Sequence, residues 1–299
     1  MKICLTGASG NLGRVTYQLL QSEGHEVAAT DFTRRPGFEL PVHVCNLVAR
    51  EPIYEFVQGA DAVVHLGNHP NPHRVDPQRL YTDNVAMNLH VFQAAMESGV
   101  PRLIFASSLQ AMAYFDHFGR RCLREYDVLP VPSTMPGWPT NTYALSKTAG
   151  EQMLDYYVRM FAGLHACSLR FTELRDSNEL SPLEYLERSW THEKYPAEFF
   201  SFFSFQRAAR LILALLERDP WEGHHVFQAA FKEPRFDLPL PELVRRFYPN
   251  AKLTMPVEEM DSLWEYRPLE EFAGWDASRH AHTVEDGELA AAVGLVPRR

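Results

Sequence analysis

The chain has only four cysteines in 299 residues, Cys4, Cys45, Cys122 and Cys167, and they are scattered. Three lie in or beside expected core strands. That pattern argues against a disulfide framework and for reduced thiols, as in the cytosol. No apolar run approaches the roughly 20 residues that cross a bilayer, so no membrane association is expected. Basic residues are in deficit: 29 Lys and Arg stand against 38 Asp and Glu, a net charge of −9. With no basic stripe, nucleic-acid binding is not expected. Met1 and Lys2 run straight into the first expected strand, which leaves no room for a secretory leader, so a cytoplasmic location is expected. Internal repeats and low-complexity tracts are lacking too, which argues against solenoids and arrays.

What is present is alternation. Strands are expected near residues 2–6, 26–30, 42–45, 61–66, 102–107 and 164–170. Helices are expected near 11–23, 49–58, 76–98 and 141–162. Strand and helix in turn predict an α/β fold with a doubly wound parallel sheet. Residues 109–140 hold six prolines and glycines and several aromatics, the composition of a loop bordering a site. After Arg170 the pattern changes. An amphipathic helix is expected over 204–218, a strand over 226–230, and a small mixed lobe over 239–275. The expected division is 1–170 for the sheet domain and 171–299 for a small C-terminal substrate lobe, with some elements returning to the main body.

The first strand, Lys2 to Thr6, runs into Gly7-Ala-Ser-Gly10-Asn-Leu-Gly13 and then into a helix. A strand, glycine-rich turn and helix in that order form the first unit of a dinucleotide site. Gly7 permits the tight turn, Gly10 lets backbone approach the phosphates, and Gly13 lets the helix pack close. The helix start offers free N–H groups and a positive dipole end to an anion. The spacing is G-x-x-G-x-x-G. Asp31 ends the second strand, where a carboxylate accepts hydrogen bonds from ribose hydroxyls and repels a 2′-phosphate, favouring NAD over NADP. Arg34 and Arg35 follow, and a nearby arginine can hold that phosphate.

Tyr143 and Lys147 lie four residues apart on the helix capped by Asn141 or Thr142, so they share a face. A free tyrosine, with a pKa near ~10, is a poor base at neutral pH. An ammonium beside it favours the phenolate. Ser108 is placed to hydrogen-bond the reacting hydroxyl or carbonyl. Tyr-x-x-x-Lys recurs by chance in many chains, and its place after the βα units gives it weight.

These segments resemble the extended short-chain dehydrogenase/reductases, the NAD-dependent epimerase/dehydratase branch. The resemblance rests on Gly7 to Gly13, Asp61-Ala-Val-Val-His-Leu-Gly67, Asn84 in a long helix, Leu103-Ile-Phe-Ala-Ser-Ser108 and Tyr143-Ala-Leu-Ser-Lys147, and spans residues 1–170. It implies a Rossmann-type sheet, NAD as cofactor, and Ser108, Tyr143 and Lys147 as the catalytic trio. It places Asn11 and Leu12 along the pyrophosphate, Asn46 and Leu47 near the adenine, and Leu66 and Gly67 near the nicotinamide, with Asn84 also on the cofactor side. It further implies a homodimer through a four-helix bundle of residues 76–98 and 141–162. Within the branch, compact uronate dehydrogenases look nearest. The chain departs from the family pattern at Asn46 and Gln206, where Asp is usual, and from the uronate enzymes at Leu109-Gln110, where they carry Asn-His.

Two features compete with this reading. His65, His69 and His73 are evenly spaced like metal ligands. Pro70 and Pro72 forbid a helix there and no carboxylate cluster joins them, so no metal is expected and a loop lining the cleft fits better. The aromatic run from Phe199 to Phe203 fits core packing between lobes better than a partner surface. The function expected is hydride transfer between NAD and a small carbohydrate, a free sugar or sugar acid. Ser108, Gln110 and Thr172 would order its hydroxyls, and Arg188 would meet a carboxylate or hydroxyl cluster. The alternatives are a nucleotide-sugar epimerase or dehydratase, which the tail segment Phe272-Ala-Gly-Trp275 resembles, and a non-catalytic NAD sensor. Retention of the serine, the tyrosine and the lysine favours an enzyme.

Overall fold

The computed structural model describes residues 1–35, 40–70, 75–112, 128–175, 201–230 and 239–276. Its central sheet has seven parallel strands: β1 (Lys2–Thr6), β2 (Glu26–Asp31), β3 (His43–Val44), β4 (Ala62–His65), β5 (Arg102–Ser108), β7 (His165–Phe171) and β10 (Gly223–Ala229). Their order across the sheet is β10-β7-β5-β4-β1-β2-β3. Ile3, Cys4 and Leu5 are all fully buried, as a parallel strand covered on both faces requires. From β1 the chain builds outward to β2 and β3, then returns to lay β4 on the other side. That reversal opens a crevice at the C-terminal ends of β1 and β4.

Helices cover both faces. One face carries α1 (Asn11–Ser22) packed on α5 (Phe205–Glu217). The other carries α2 (Ile53–Val57), α3 (Pro77–Glu97) and α4 (Thr142–Met160), with α3 against both neighbours. Val15, Leu20, Leu211 and Ile212 fill the first layer, and Val57, Val91, Phe92 and Leu154 the second. Each such side chain, fully buried, contributes roughly 1.5–3 kcal/mol. Caps set the helix starts. Asp76 accepts from the N–H groups of Gln78 and Arg79, and Ser204 from that of Arg207. Asn141, not Thr142, caps α4. Helix α2 is shorter than its expected span of 49–58. Pro52 stands at its cap, and the residue before a proline is disfavoured in helical geometry.

The small lobe is assembled from two distant stretches. Strand β6 (Val128–Leu129), from the expected loop, pairs with β11 (Lys252–Leu253). Helix α6 (Leu240–Phe247) packs nearby, and Leu129, Val131, Leu243, Tyr248, Leu263 and Trp264 form the lobe's own core. Much of the chain after residue 170 returns to the main body. Strand β10 joins the sheet, α5 covers it, and α7 (Arg267–Ala273) packs against both. A short parallel pair, β8 (Glu173–Arg175) and β9 (Phe202–Ser204), precedes α5. From the aromatic run, Phe203 is fully buried between Phe171 and Trp275; Phe199 and Phe200 lie outside the described residues. Gln206 is also fully buried, and its carboxamide has no hydrogen-bond partner among the described residues.

A serine, a histidine and an aspartate line up at the sheet edge. Ser168 Oγ lies 2.8 Å from His224 Nε2, and His224 Nδ1 lies 2.7 Å from Asp155 Oδ1. The order is that of a nucleophile relay, but Ser168 has no exposed surface and sits within β7. No substrate reaches it there. The trio instead ties edge strand β10 to β7 and to α4. The bond from His224 holds the Asp155 carboxyl below its usual range.

Candidate active site

At the crevice, Gly7 has φ +72° and a methyl group on it would lie 2.7 Å from the backbone carbon of Leu66. The same addition to Gly13 would lie 2.1 Å from the Gly7 carbonyl oxygen. The turn is thus closed against β4's exit on one side and against α1 on the other, and only hydrogen fits at either position. Gly10 caps α1 without a side chain, so the first turn presents backbone to the crevice. Gly67 donates its N–H to Thr6 Oγ1 at 3.2 Å, and the Leu47 side chain packs beside it. Gly7, Gly10, Gly13, Leu47, Leu66 and Gly67 therefore meet at one place. Leu12 is buried in the core beneath the turn, leaving its backbone toward the crevice.

Asp31 reaches this turn. Its carboxylate accepts from the N–H of Ser9 at 2.8 Å and from that of Phe32 at 2.6 Å. The glycine loop and the end of β2 are thus fixed to one another. Arg14 and Arg35 both donate to Asn11 Oδ1, at 3.0 and 3.3 Å. Arg34 is held differently, through Nε to the Val42 carbonyl. Asn46 is exposed, and its side chain accepts from the N–H of Val48. A dinucleotide fits these residues: a helix start without a side-chain cap, a turn that excludes side chains, and a carboxylate at the end of β2.

The catalytic candidates lie beyond, at the C-terminal end of β5. Tyr143 and Lys147 project from α4 and are almost wholly buried. Burial pushes the Tyr143 phenol up, and its hydrogen bond to Ser108 pulls it back. The Lys147 Nζ lies over the tyrosine ring, 5.6 Å from the centre, and donates to Asn68 Oδ1 and the Ala106 carbonyl, each at 2.8 Å. Burial lowers the Lys147 ammonium to about 7, against the pull of Glu151.

Several participants were not legible in the sequence. Asn68 receives Lys147 and donates to Asn88 Oδ1 at 3.0 Å. Asn88 also meets His65 Nε2, and His65 Nδ1 meets Thr6. His65 is therefore a fully buried strand residue and not part of a cleft loop. Burial, and then the charge of Lys147, lower it to about 3, so it stays neutral. His69 pairs with Asp83, and His73 lies outside the described residues. Glu151 accepts from Ser107 Oγ at 2.6 Å and from Arg170 at 2.8 and 2.7 Å. Spacing alone offered one signal here, since Glu151 is the next step of four after Tyr143 and Lys147.

The remaining expected residues are placed as follows. Asn84 is fully buried, and its carboxamide joins the backbone of His69 to Ser146. Ser146 in turn donates to the Tyr143 carbonyl, so Asn84 braces the tyrosine from behind. Gln110 donates its N–H to Ser108 Oγ at 3.2 Å. Thr172 follows directly on Phe171, the β7 residue in register with Ser108. Its hydroxyl is buried and has no partner among the described residues. Arg188 lies outside the described residues.

The model of the NAD dependent epimerase/dehydratase family matches residues 3–175. The chain belongs to this family. Its cofactor is NAD. Among curated relatives, a uronate dehydrogenase of Pseudomonas syringae pv. tomato is 28% identical over 176 residues, covering 56% of this chain and 58% of that protein. An L-arabinose 1-dehydrogenase (NAD(P)(+)) of Haloferax volcanii is 32% identical over 181 residues, covering 60% and 69%. The match to the first relative thus spans little more than half its length. A short-chain dehydrogenase/reductase superfamily protein from Agrobacterium tumefaciens, solved with bound NAD, superposes with TM-score 0.68 at 20% identity, covering 98% of this chain and 96% of that one. That likeness concerns the fold.

The glycine geometry gives the first prediction. Gly13→Ala should weaken NAD binding by at least ~10²-fold, because its methyl cannot be seated without moving the Gly7 turn that would hold the phosphates. Gly24→Ala, at a turn with open space around it but φ +80°, introduces backbone strain away from the crevice and is the control for a general loss of stability. Fluorescence titration with NAD reads both, and wild-type affinity in Gly13→Ala would refute the reading of the turn.

Proposed function

We propose that the protein is an NAD-dependent oxidoreductase or epimerase that acts on a small carbohydrate, a free sugar or sugar acid, with Tyr143 as the acid/base. The observation that carries this reading is the placement of buried Tyr143 and Lys147 at the end of β5, with the Lys147 Nζ over the tyrosine ring and bonded to the Ala106 carbonyl, two residues before Ser108. Bound NAD supplies the hydride acceptor. Ser108 orients the substrate hydroxyl, and Tyr143 takes its proton. Burial works against a phenolate, so Ser108 and the Lys147 charge must offset it. With its ammonium near the middle of its titration at neutral pH, Lys147 responds to small changes around it. Glu151, fixed by Ser107 and Arg170, keeps a carboxylate on the lysine's own helix face.

Two observations support a small substrate. The relatives named above act, by their names, on a uronate and on L-arabinose. The tail that resembles nucleotide-sugar epimerases is absorbed by packing: Trp275 packs tilted against Phe203, and Phe272 against Phe227. Replacing Tyr143 by Phe should lower turnover on the order of 10²–10⁴-fold with NAD affinity nearly unchanged. Lys147→Ala should damage both. NADH absorbance against a panel of sugars and sugar acids measures the first, and calorimetry the second. Near wild-type turnover in Tyr143→Phe refutes the acid/base role, and micromolar binding of UDP, GDP or dTDP outside the NAD site refutes the small substrate.

The Asp31 carboxylate disfavours a 2′-phosphate. NAD should therefore bind more tightly than NADP, with the gap narrowed in Asp31→Ala. Tighter binding of NADP by the wild type would hand the preference to Arg34 and Arg35. We also propose a homodimer through α3 and α4, where Leu89, Leu145, Tyr156 and Met160 are exposed. Sedimentation should give twice the chain mass, and Tyr156→Glu with Met160→Glu should halve it; a monomeric wild type excludes this arrangement.

A further inference from the structure

Two of Asn141's partners together fix a third group. Its Oδ1 accepts from the N–H of Ala144 at 2.8 Å, which caps α4. A backbone N–H can only donate, so the amide orientation of Asn141 is settled without ambiguity. Its Nδ2 is then a donor, and it points to Gln110 Oε1 at 3.2 Å. That in turn settles Gln110. Its carbonyl oxygen is taken, and Nε2 remains, with no partner among the described residues. Gln110 is also anchored at its backbone, whose N–H donates to Ser108 Oγ. The free NH₂ group therefore belongs to the residue bound to Ser108, beside the reacting centre.

We propose that Asn141 is a positioning residue that locks the Gln110 carboxamide, so that the site offers a donor and no acceptor at this point. A freely turning amide would serve hydroxyls, which both donate and accept, as well as carboxylates. A locked NH₂ favours a group that only accepts, and a charged acceptor gains most. The substrate class selected is a sugar carrying a carboxylate. This rests on the sugar-oxidoreductase reading and narrows it. It also links the start of the Tyr143 helix to substrate choice, since one side chain caps the helix and orients Gln110.

The test is a double-mutant cycle on NAD-dependent turnover, using a hexuronate and the neutral aldose of the same ring configuration. Asn141→Ser keeps a good cap but is too short to reach Gln110. It should raise KM for the hexuronate on the order of 3- to 10-fold, the size of one net hydrogen bond. The aldose KM, kcat, NAD affinity and Tm should change little. Gln110→Leu should raise the hexuronate KM at least as much, and adding Asn141→Ser to it should have no further effect. A purely structural role for Asn141 would show the same penalty in both backgrounds, and that result overturns the proposal. An unchanged hexuronate KM in Asn141→Ser overturns it as well. If Asn141→Ser loses stability, Asn141→Asp, which caps but cannot donate, takes its place in the cycle under the same criteria. A wild type that binds NAD but turns over no sugar refutes the functional reading itself, and the role given to Gln110 falls with it.

Discussion

Helix α4 meets the C-terminal end of β5 at three points, and the site depends on that docking. Tyr143 bonds to Ser108, Lys147 to the Ala106 carbonyl, and Glu151 to Ser107. The three helix residues are successive steps of four, so they lie in a row on one face. The three strand groups are consecutive residues at the strand's end. A helix register shifted by one residue would break all three contacts together. Asn141 fixes where that register begins, and Asn84 and Ser146 brace it from the α3 side.

The docking places charges where water cannot screen them. Arg170 and Glu151 form a buried, two-bonded pair, and Arg170 also reaches the Met135 carbonyl. Removing one partner of such a pair costs about 3–5 kcal/mol, because the other is left charged and buried. Among the described residues Lys147 has no comparable ion pair of its own. It donates to two neutral oxygens, and its charge is marginal near neutral pH. His65, packed below and neutral, adds hydrogen bonding without a competing charge.

The other half of the site depends on exclusion. Where β1 and β4 part, the Gly7 turn, the Leu66–Gly67 backbone and the start of α1 approach so closely that side chains do not fit. Backbone is what remains, and backbone N–H groups at a helix start are what a phosphate binds. The two halves share β4 and its exit: Gly67 packs against the glycine turn, and Asn68, the next residue, receives Lys147. The glycine turn and the candidate catalytic residues are thereby joined through two consecutive residues.

The sequence by itself determined the alternation of elements, the glycine turn, Asp31 at the end of β2, and the Tyr143–Lys147 pair. Each of these is written in local spacing: burial on both faces gives apolar runs, a close turn demands glycine, and a shared helix face needs a step of four. Only the tertiary structure decided which serine serves which partner. Ser107 and Ser108 are adjacent in sequence, yet one bonds to Glu151 and the other to Tyr143. It also separated His65, at the end of its strand, from His69 in the loop beyond, drew β6 from an expected loop into the small lobe, and made Asn141 the holder of Gln110. These are partnerships between residues far apart in the chain. A buried polar group must find a partner, but periodicity does not say which one. Folding settles that by bringing one particular donor to one particular acceptor.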